Sequence, residues 1–347
     1  MNRAWLFGMA LTGLVTLPSC GGEQAGAPAA ETVTLDGSGS TFQKAYEEVA
    51  IEAFTKDHPN IRINYGGGGS GKGRQDLADQ VVDFAGSDQP YPQADLAGNK
   101  GGRVLYFPIL LGAVTVSYHV DGVDDLRLSP DMIAKIFQRG IDTWNDPAIA
   151  ADNPGVILPD IPIVVAHRAD GSGTTNIFTS FLVGAAPGTW ELGSGGTVEW
   201  PADTQAGNGN AGVAQIVEST NGAIGYVDLS DAKAAGLVWA RVENDGGKYV
   251  MPTPAAVSAA GDGIEVADDL TFAAMNARGD AAYPITGQTW VIVYAKQADP
   301  QKAAALKSWV KFLIDGGQKL APEVDFAPLP EGLQAKAIAQ LAEIEVR

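Results

Sequence analysis

Four times in this chain a run of strand-like residues breaks into a turn of glycine and polar residues, and that recurrence is what most limits the possible folds. In the first unit Val33-Thr34-Leu35 leads into Asp36-Gly37-Ser38-Gly39-Ser40-Thr41-Phe42, then into a helical segment with Tyr46, Val49, Ala50 and Ala53 on one face. In the second, Ile61 to Tyr65 alternates as a strand does, the glycine loop 66–73 follows, and a helix is expected over 75–81. The third is a strand over 82–87 that ends at Asp88. The fourth sets Ile161 to Ala166 before Arg168-Ala169-Asp170-Gly171-Ser172-Gly173-Thr174-Thr175, after which Ile177, Phe178, Phe181 and Leu182 share a helical face. Units of this kind define an α/β protein.

Three of the four turns put glycines and hydroxyls where a helix begins. Free N–H groups at a helix N-terminus carry partial positive charge and attract anions. Taken alone, 168–175 fits a Ser/Thr-capped helix after a glycine turn equally well. In open α/β sheets, however, ligands sit at the carboxyl ends of strands. If 37–42, 66–73, 87–88 and 168–175 converge there, they offer N–H groups, hydroxyls, one guanidinium and carboxylates: a cage for a small tetrahedral oxyanion. The chain carries 23 Lys+Arg against 41 Asp+Glu, a formal charge of -18, which argues against a nucleic-acid partner. It also makes long-range attraction of anions poor, so an anion site has to work through local dipoles within about 8 Å.

With 347 residues, 45% of them hydrophobic, the chain is long enough for two domains of ordinary size. The apolar stretch from Val104 to Tyr118, interrupted by Pro108, reads as an extended connection or a pair of strands. Residues 129–137 form a capped helix and 143–147 a turn. The segment 193–212, rich in glycine, serine and asparagine, is expected to loop over the surface, with Val198 and Trp200 as candidates for part of a strand. A short helix over 213–218, buried strands at 223–227 and 290–294, and an amphipathic helix over 303–314 complete the reading.

Residues 1–19 carry Arg3 as their one charge, followed by an apolar segment from Ala4 to Leu17 that is too short to span a bilayer and has the layout of a secretory signal. Leu17-Pro18-Ser19-Cys20-Gly21-Gly22 resembles a bacterial lipoprotein signal, which would make Cys20 the lipid-modified first residue; a plain secretory signal is the alternative. Cys20 is the one cysteine, so no intrachain disulfide can form. Residues 21–32 read as a flexible tether.

Enzymatic readings find little support. Gly66 to Lys72 fits the first seven positions of a nucleotide P-loop, but the eighth, which should be Ser or Thr to hold magnesium, is Gly73. No Gly-x-Ser-x-Gly elbow is present, and His58, His119 and His167 stand in unrelated contexts. No metal-ligand spacing is found, so no metal, cofactor or catalytic residue is expected.

Taken together, these loops resemble the substrate-binding protein of the bacterial phosphate ABC transporter. The resemblance covers nearly all of the chain after the signal and adds Tyr65 with Ser70, Asp83 to Asp88, Trp144 to Ile149, Gly196 to Pro201 and Gly222 to Val227. It implies an α/β, two-lobed periplasmic-binding-protein fold with the ligand in a cleft and two crossover hinge segments. One lobe would be 31–118 plus 286–347 and the other 119–285. It further implies a phosphate-binding set of Thr41, Phe42 through its N–H, Ser70, Asp88, Arg168, Ser172, Gly173 through its N–H, and Thr174, with Asp170 orienting Arg168. Asp88 would accept the P–O–H of phosphate and reject sulfate, which has no proton to give. The implied protein is extracytoplasmic, periplasmic or lipid-anchored, a monomer, not an enzyme, and delivers inorganic phosphate to an ABC permease. A secreted phosphatase and a binder of sulfate or arsenate are the alternatives. Gln43, where that family often has proline, and Lys72 are departures from its pattern.

Overall fold

The computed structural model describes residues 32–96 and 98–347. The expected signal over 1–20, its Cys20 and nearly all of the tether lie outside the described residues. Eight strands and five helices position the site: β1 (Val33–Gly39), α1 (Lys44–Asp57), β2 (Ile61–Gly66), α2 (Ser70–Ala78), β3 (Phe84–Ser87), β4 (Val104–His119), β5 (Val164–Arg168), α3 (Gly173–Ala185), β6 (Gln205–Gly207), α4 (Gly209–Ser219), β7 (Ala223–Asp228), β8 (Thr286–Tyr294) and α5 (Pro300–Ile314). They join in one mixed sheet of order β2-β1-β3-β8-β4-β7-β5-β6, with a short strand, Val238–Trp239, also pairing with β4.

β4 organises this sheet. It is a single strand of 16 residues, buried along its length except at its ends, rather than a loose connection or two separate strands. Pro108 is tolerated because the register with β8 shifts between Thr289 and Trp290, opposite the residue that lacks an N–H. From Val104 to Ala113 β4 pairs with β8, and from Val114 to His119 it pairs with β7, antiparallel in both cases. The chain's return from the second half meets it at this change of partner: Val114 N–H donates to Ile285 O at 3.0 Å, and Tyr283 Oη donates to Val114 O at 2.8 Å. Each half is then completed by parallel strands: β1 with β2 and β3 on one side, β5 with β6 and β7 on the other.

Two sequence expectations are corrected. The second helix starts at Ser70, not at residue 75, because Gly69 takes φ +92° and turns the loop directly into the helix. The segment 193–212 is not all surface loop: residues 205–207 form β6 against β5, and α4 begins at Gly209. Val198 and Trp200 are in no strand; the Trp200 ring instead stacks on His167 and Tyr226, at centroid distances of 5.0 and 5.9 Å.

Candidate anion-binding site

Parallel strands end on the same side of each half-sheet, so the turns that follow them are brought together. β1 delivers Thr41 and α1, β2 delivers Ser70 and α2, β3 delivers Asp88, and β5 delivers Arg168 and α3. β6 supplies a further unit of the same build, in which Asn208 precedes the first turn of α4. Contacts between these turns are close. Gly71 N–H donates to Gly171 O at 2.8 Å, joining the second and fourth loops. A Cβ on Gly69 would fall 2.1 Å from Asp170 Oδ2, so glycine is required there by space as well as by φ. Asn210 reaches across to the first loop: its backbone N–H and its Nδ2 both donate to Thr41 Oγ1, at 3.3 Å each. The N-termini of α1, α2, α3 and α4 are thereby gathered around one point.

Arg168 lies under this point with a fully buried side chain. Its Nε donates to Asp170 Oδ1 at 2.8 Å and its Nη2 to Asp170 Oδ2, a two-point ion pair that fixes the plane of the guanidinium. Nη1 donates to Thr174 Oγ1 at 3.3 Å and to Asn210 Oδ1 at 3.2 Å. Asp170 also accepts the Gly209 N–H at 3.0 Å. Burial raises its proton affinity, but the Arg168 bonds and charge outweigh that and hold its carboxyl below the usual range. Asp170 therefore pairs with Arg168 at two points and with the N-terminus of α4 at a third.

Asp88 faces this group from the other half and is 1% exposed. Its Oδ1 accepts from Ser40 Oγ at 2.6 Å and Thr289 Oγ1 at 2.7 Å, and its Oδ2 from Ser70 Oγ at 3.2 Å. Burial pushes its carboxyl up, opposed by these three hydroxyls and by the Arg168 charge. Ser172 caps α3 by accepting the Thr175 N–H at 3.0 Å, which leaves its hydroxyl hydrogen to donate elsewhere. The Phe42 N–H is taken by Ser40 Oγ at 3.0 Å, and the Phe42 ring packs in the core against Phe326 at 5.5 Å. All eight expected groups therefore lie in or beside one cluster.

Sequence reasoning missed Asn210, Ser40 and Thr289. Asn210 had a legible signal, since Gly207-Asn208-Gly209-Asn210 repeats the glycine–polar build of the other turns, while Thr289 lies inside a strand and had none. Asp83 accepts the Asp36 N–H at 2.9 Å and pairs with Lys302 at 2.7 Å, away from the cluster. Lys72 is exposed and pairs with Asp76 at 2.6 Å. Among the described residues no group of His, Cys, Asp and Glu side chains is arranged to hold a metal ion, and no helix is long and apolar enough to cross a membrane.

A two-half sheet with oxyanion-type donors at its strand ends is the build of a ligand-capturing binding protein, and residues 22–316 match the family described as the PBP superfamily domain. The chain is 37% identical over 328 residues to phosphate-binding protein PstS of Methanocaldococcus jannaschii, covering 86% of this chain and 83% of that one. It is 33% identical to phosphate-binding protein PstS of Pasteurella multocida, covering 88% and 89%. It belongs to the PstS phosphate-binding protein family of the PBP superfamily. The fold is also that of a solved high-affinity periplasmic phosphate-binding protein, PfluDING, with a TM-score of 0.74 at 23% identity over 89% of this chain and 93% of the other. The α/β periplasmic-binding-protein fold expected from the sequence is the observed one.

Proposed function

We propose that this protein captures inorganic phosphate outside the cytoplasmic membrane and delivers it to an ABC permease for import. The observation that carries the reading is the convergence of four helix N-termini on a point flanked by Arg168 and Asp88. A dianion there is met by N–H dipoles, hydroxyls and one fixed positive charge, and Asp88 tolerates it because hydrogenphosphate brings a proton to the carboxylate. The ligand groups are Thr41, Ser70, Asp88, Arg168, Ser172 and Thr174, with the N–H groups of Phe42 and Gly173; Phe42 donates once Ser40 turns away from it.

The two halves of the sheet act as lobes of about 32–113 plus 286–347 and 114–285, hinged where β4 changes partner at Ala113 and Val114 and where the chain returns at 283–285. Closure strengthens each contact by excluding water. Cys20 carries the lipid that tethers the monomer to the membrane surface. The protein performs no chemistry on its ligand.

Calorimetric titration of phosphate and of sulfate into the protein lacking residues 1–19 tests this reading. Phosphate binds, and sulfate binds weaker by roughly 10⁴-fold, as expected for a site built around a ligand hydrogen bond. Equal affinity for the two anions would sink the assignment, as would turnover of a chromogenic phosphate ester.

A further inference from the structure

Behind the cage lies a second buried carboxyl that the proposed binding set does not use. Glu47, on α1, has no exposed surface, and its Oε2 has no hydrogen-bond partner. No lysine or arginine pairs with it among the described residues. The titratable groups that face it are Tyr46 on α1 and Tyr65 on β2, both held neutral because burial raises their phenols further. An ionised carboxylate in that setting is strongly disfavoured. Burial, opposed in part by the Gln43 hydrogen bond, pushes the Glu47 carboxyl up to about 8.

Glu47 connects to the cage through a continuous line of buried polar atoms. As placed, Gln43 Nε2 lies 2.7 Å from Glu47 Oε1 and Gln43 Oε1 lies 2.5 Å from Thr289 Oγ1. Thr289 Oγ1 in turn lies 2.7 Å from Asp88 Oδ1. Gln43 and Thr289 are both fully buried, so water does not complete the pattern.

Counting hydrogens along this line allows two consistent arrangements. With the Gln43 N–H₂ toward Glu47, its carbonyl takes the single Thr289 hydrogen, and Asp88 must itself be protonated to bond Thr289. With the amide turned by half a rotation, protonated Glu47 donates to the Gln43 carbonyl, Gln43 N–H donates to Thr289, and Thr289 donates to ionised Asp88. With one acidic proton on the line, these are its two resting places, one at each end. Asp88 is the end with compensating partners: three hydroxyls and the charges of Arg168 and Arg74. Glu47 has only Gln43.

We propose that Glu47, Gln43 and Thr289 form a one-proton relay that stores its proton on Glu47 and so presents Asp88 to the ligand as an ionised acceptor. Glu47 is a positioning residue, acting through Gln43 and Thr289. The relay depends on Gln43, which stands where the resemblance leads one to expect proline, a residue unable to make either bond. Removing the proton from Glu47 turns the Gln43 amide toward it and draws the Thr289 hydrogen away from Asp88, adding a second buried negative charge behind the anion. The inference rests on the phosphate reading above, and its test separates the two.

Phosphate affinity of the wild type, Glu47→Gln and Thr289→Val is measured by calorimetry from about pH 7 to about pH 9.5, with infrared difference spectra of the ligand-free proteins. The wild type is expected to lose affinity about tenfold across that range, while Glu47→Gln, which keeps a neutral donor at every pH, holds its value within about threefold. Thr289→Val binds more weakly throughout and shows no alkaline fall. A protonated-carboxyl stretch titrating near pH 8 is present in wild type and Thr289→Val and absent from Glu47→Gln. A fall of equal size in Glu47→Gln, a flat wild-type profile, or phosphate binding without the Glu47 band overturns the relay alone. The band without any phosphate binding overturns the proposed function, and with it the relay's role toward that ligand.

Discussion

Gly173 and Asp88 approach each other more closely than any side chain at 173 would permit: a Cβ there would lie 2.4 Å from Asp88 Oδ2 and 2.5 Å from Ser70 Oγ. The first residue of α3 is thereby pressed against the carboxylate that ends β3, and the two halves of the sheet meet at the site. Gly173→Ala forces either the Asp88 carboxyl or the helix to move. Overpacking of this kind costs about 1–3 kcal/mol, so phosphate affinity measured by calorimetry is expected to drop about 5- to 100-fold. A variant that binds as tightly as its parent would show that this close approach does not belong to the liganded form.

Asp88→Asn bears on selectivity. Its amide can still accept at the carbonyl, but its N–H₂ also offers donors that a fully ionised anion can use, and the repulsive charge is gone. The ratio of phosphate to sulfate affinity is expected to collapse by at least about 100-fold, mostly through gained sulfate binding. An unchanged ratio would place the discrimination elsewhere in the cage.

Arg168→Ala removes a buried positive charge from the site and strands Asp170, which loses both of its guanidinium bonds. The expected cost is about 2–5 kcal/mol in phosphate binding. A loss below about 0.5 kcal/mol would mean that Arg168 is outside the ligand's reach.

Asn210→Ala tests the residue that only the fold revealed. Asn210 ties Arg168, Thr174 and Thr41 together, so its loss loosens both halves of the cage at once. Two neutral hydrogen bonds and one from the Arg168 guanidinium are lost, for a cost of about 1–3 kcal/mol in binding. Thermal unfolding of the ligand-free variant separates this from simple destabilisation.

Stability should carry the signature of Glu47. Its carboxyl sits at about 8 in the folded protein and near the ordinary carboxyl value when unfolded, so the folded state holds the proton more tightly. That contribution is fully present below the unfolded value and is lost as pH rises through about 8. Relative to Glu47→Gln, the wild type is therefore expected to lose melting temperature between about pH 5 and about pH 8, the difference widening with pH. A constant difference across that range would contradict a protonated Glu47.

What the sequence determined by itself is what short-range physics dictates. A strand followed by glycine and hydroxyls must turn, and the helix start that follows attracts anions; of the three such turns only 168–175 caps its helix with a hydroxyl, that of Ser172. The turns at 37–42, 66–73 and 168–175 were legible for that reason, whereas the roles of Asp88 and Asp170 were marked out only by the resemblance of the whole set of loops. The β6–α4 turn escaped because its strand has only three residues and two of them are exposed, so it shows no apolar pattern. Thr289 escaped for a deeper reason. It reads as one more residue of a buried strand, and it becomes a partner of Asp88 only because β8 lies beside β3 in the sheet, 201 residues away along the chain. Gln43 and Glu47 likewise look like an ordinary helix start until β3 and β8 pack against them and leave both fully buried. Turns and caps are chosen by neighbours in sequence, whereas the burial that gives a polar side chain its protonation state and its partners exists only once distant strands have packed.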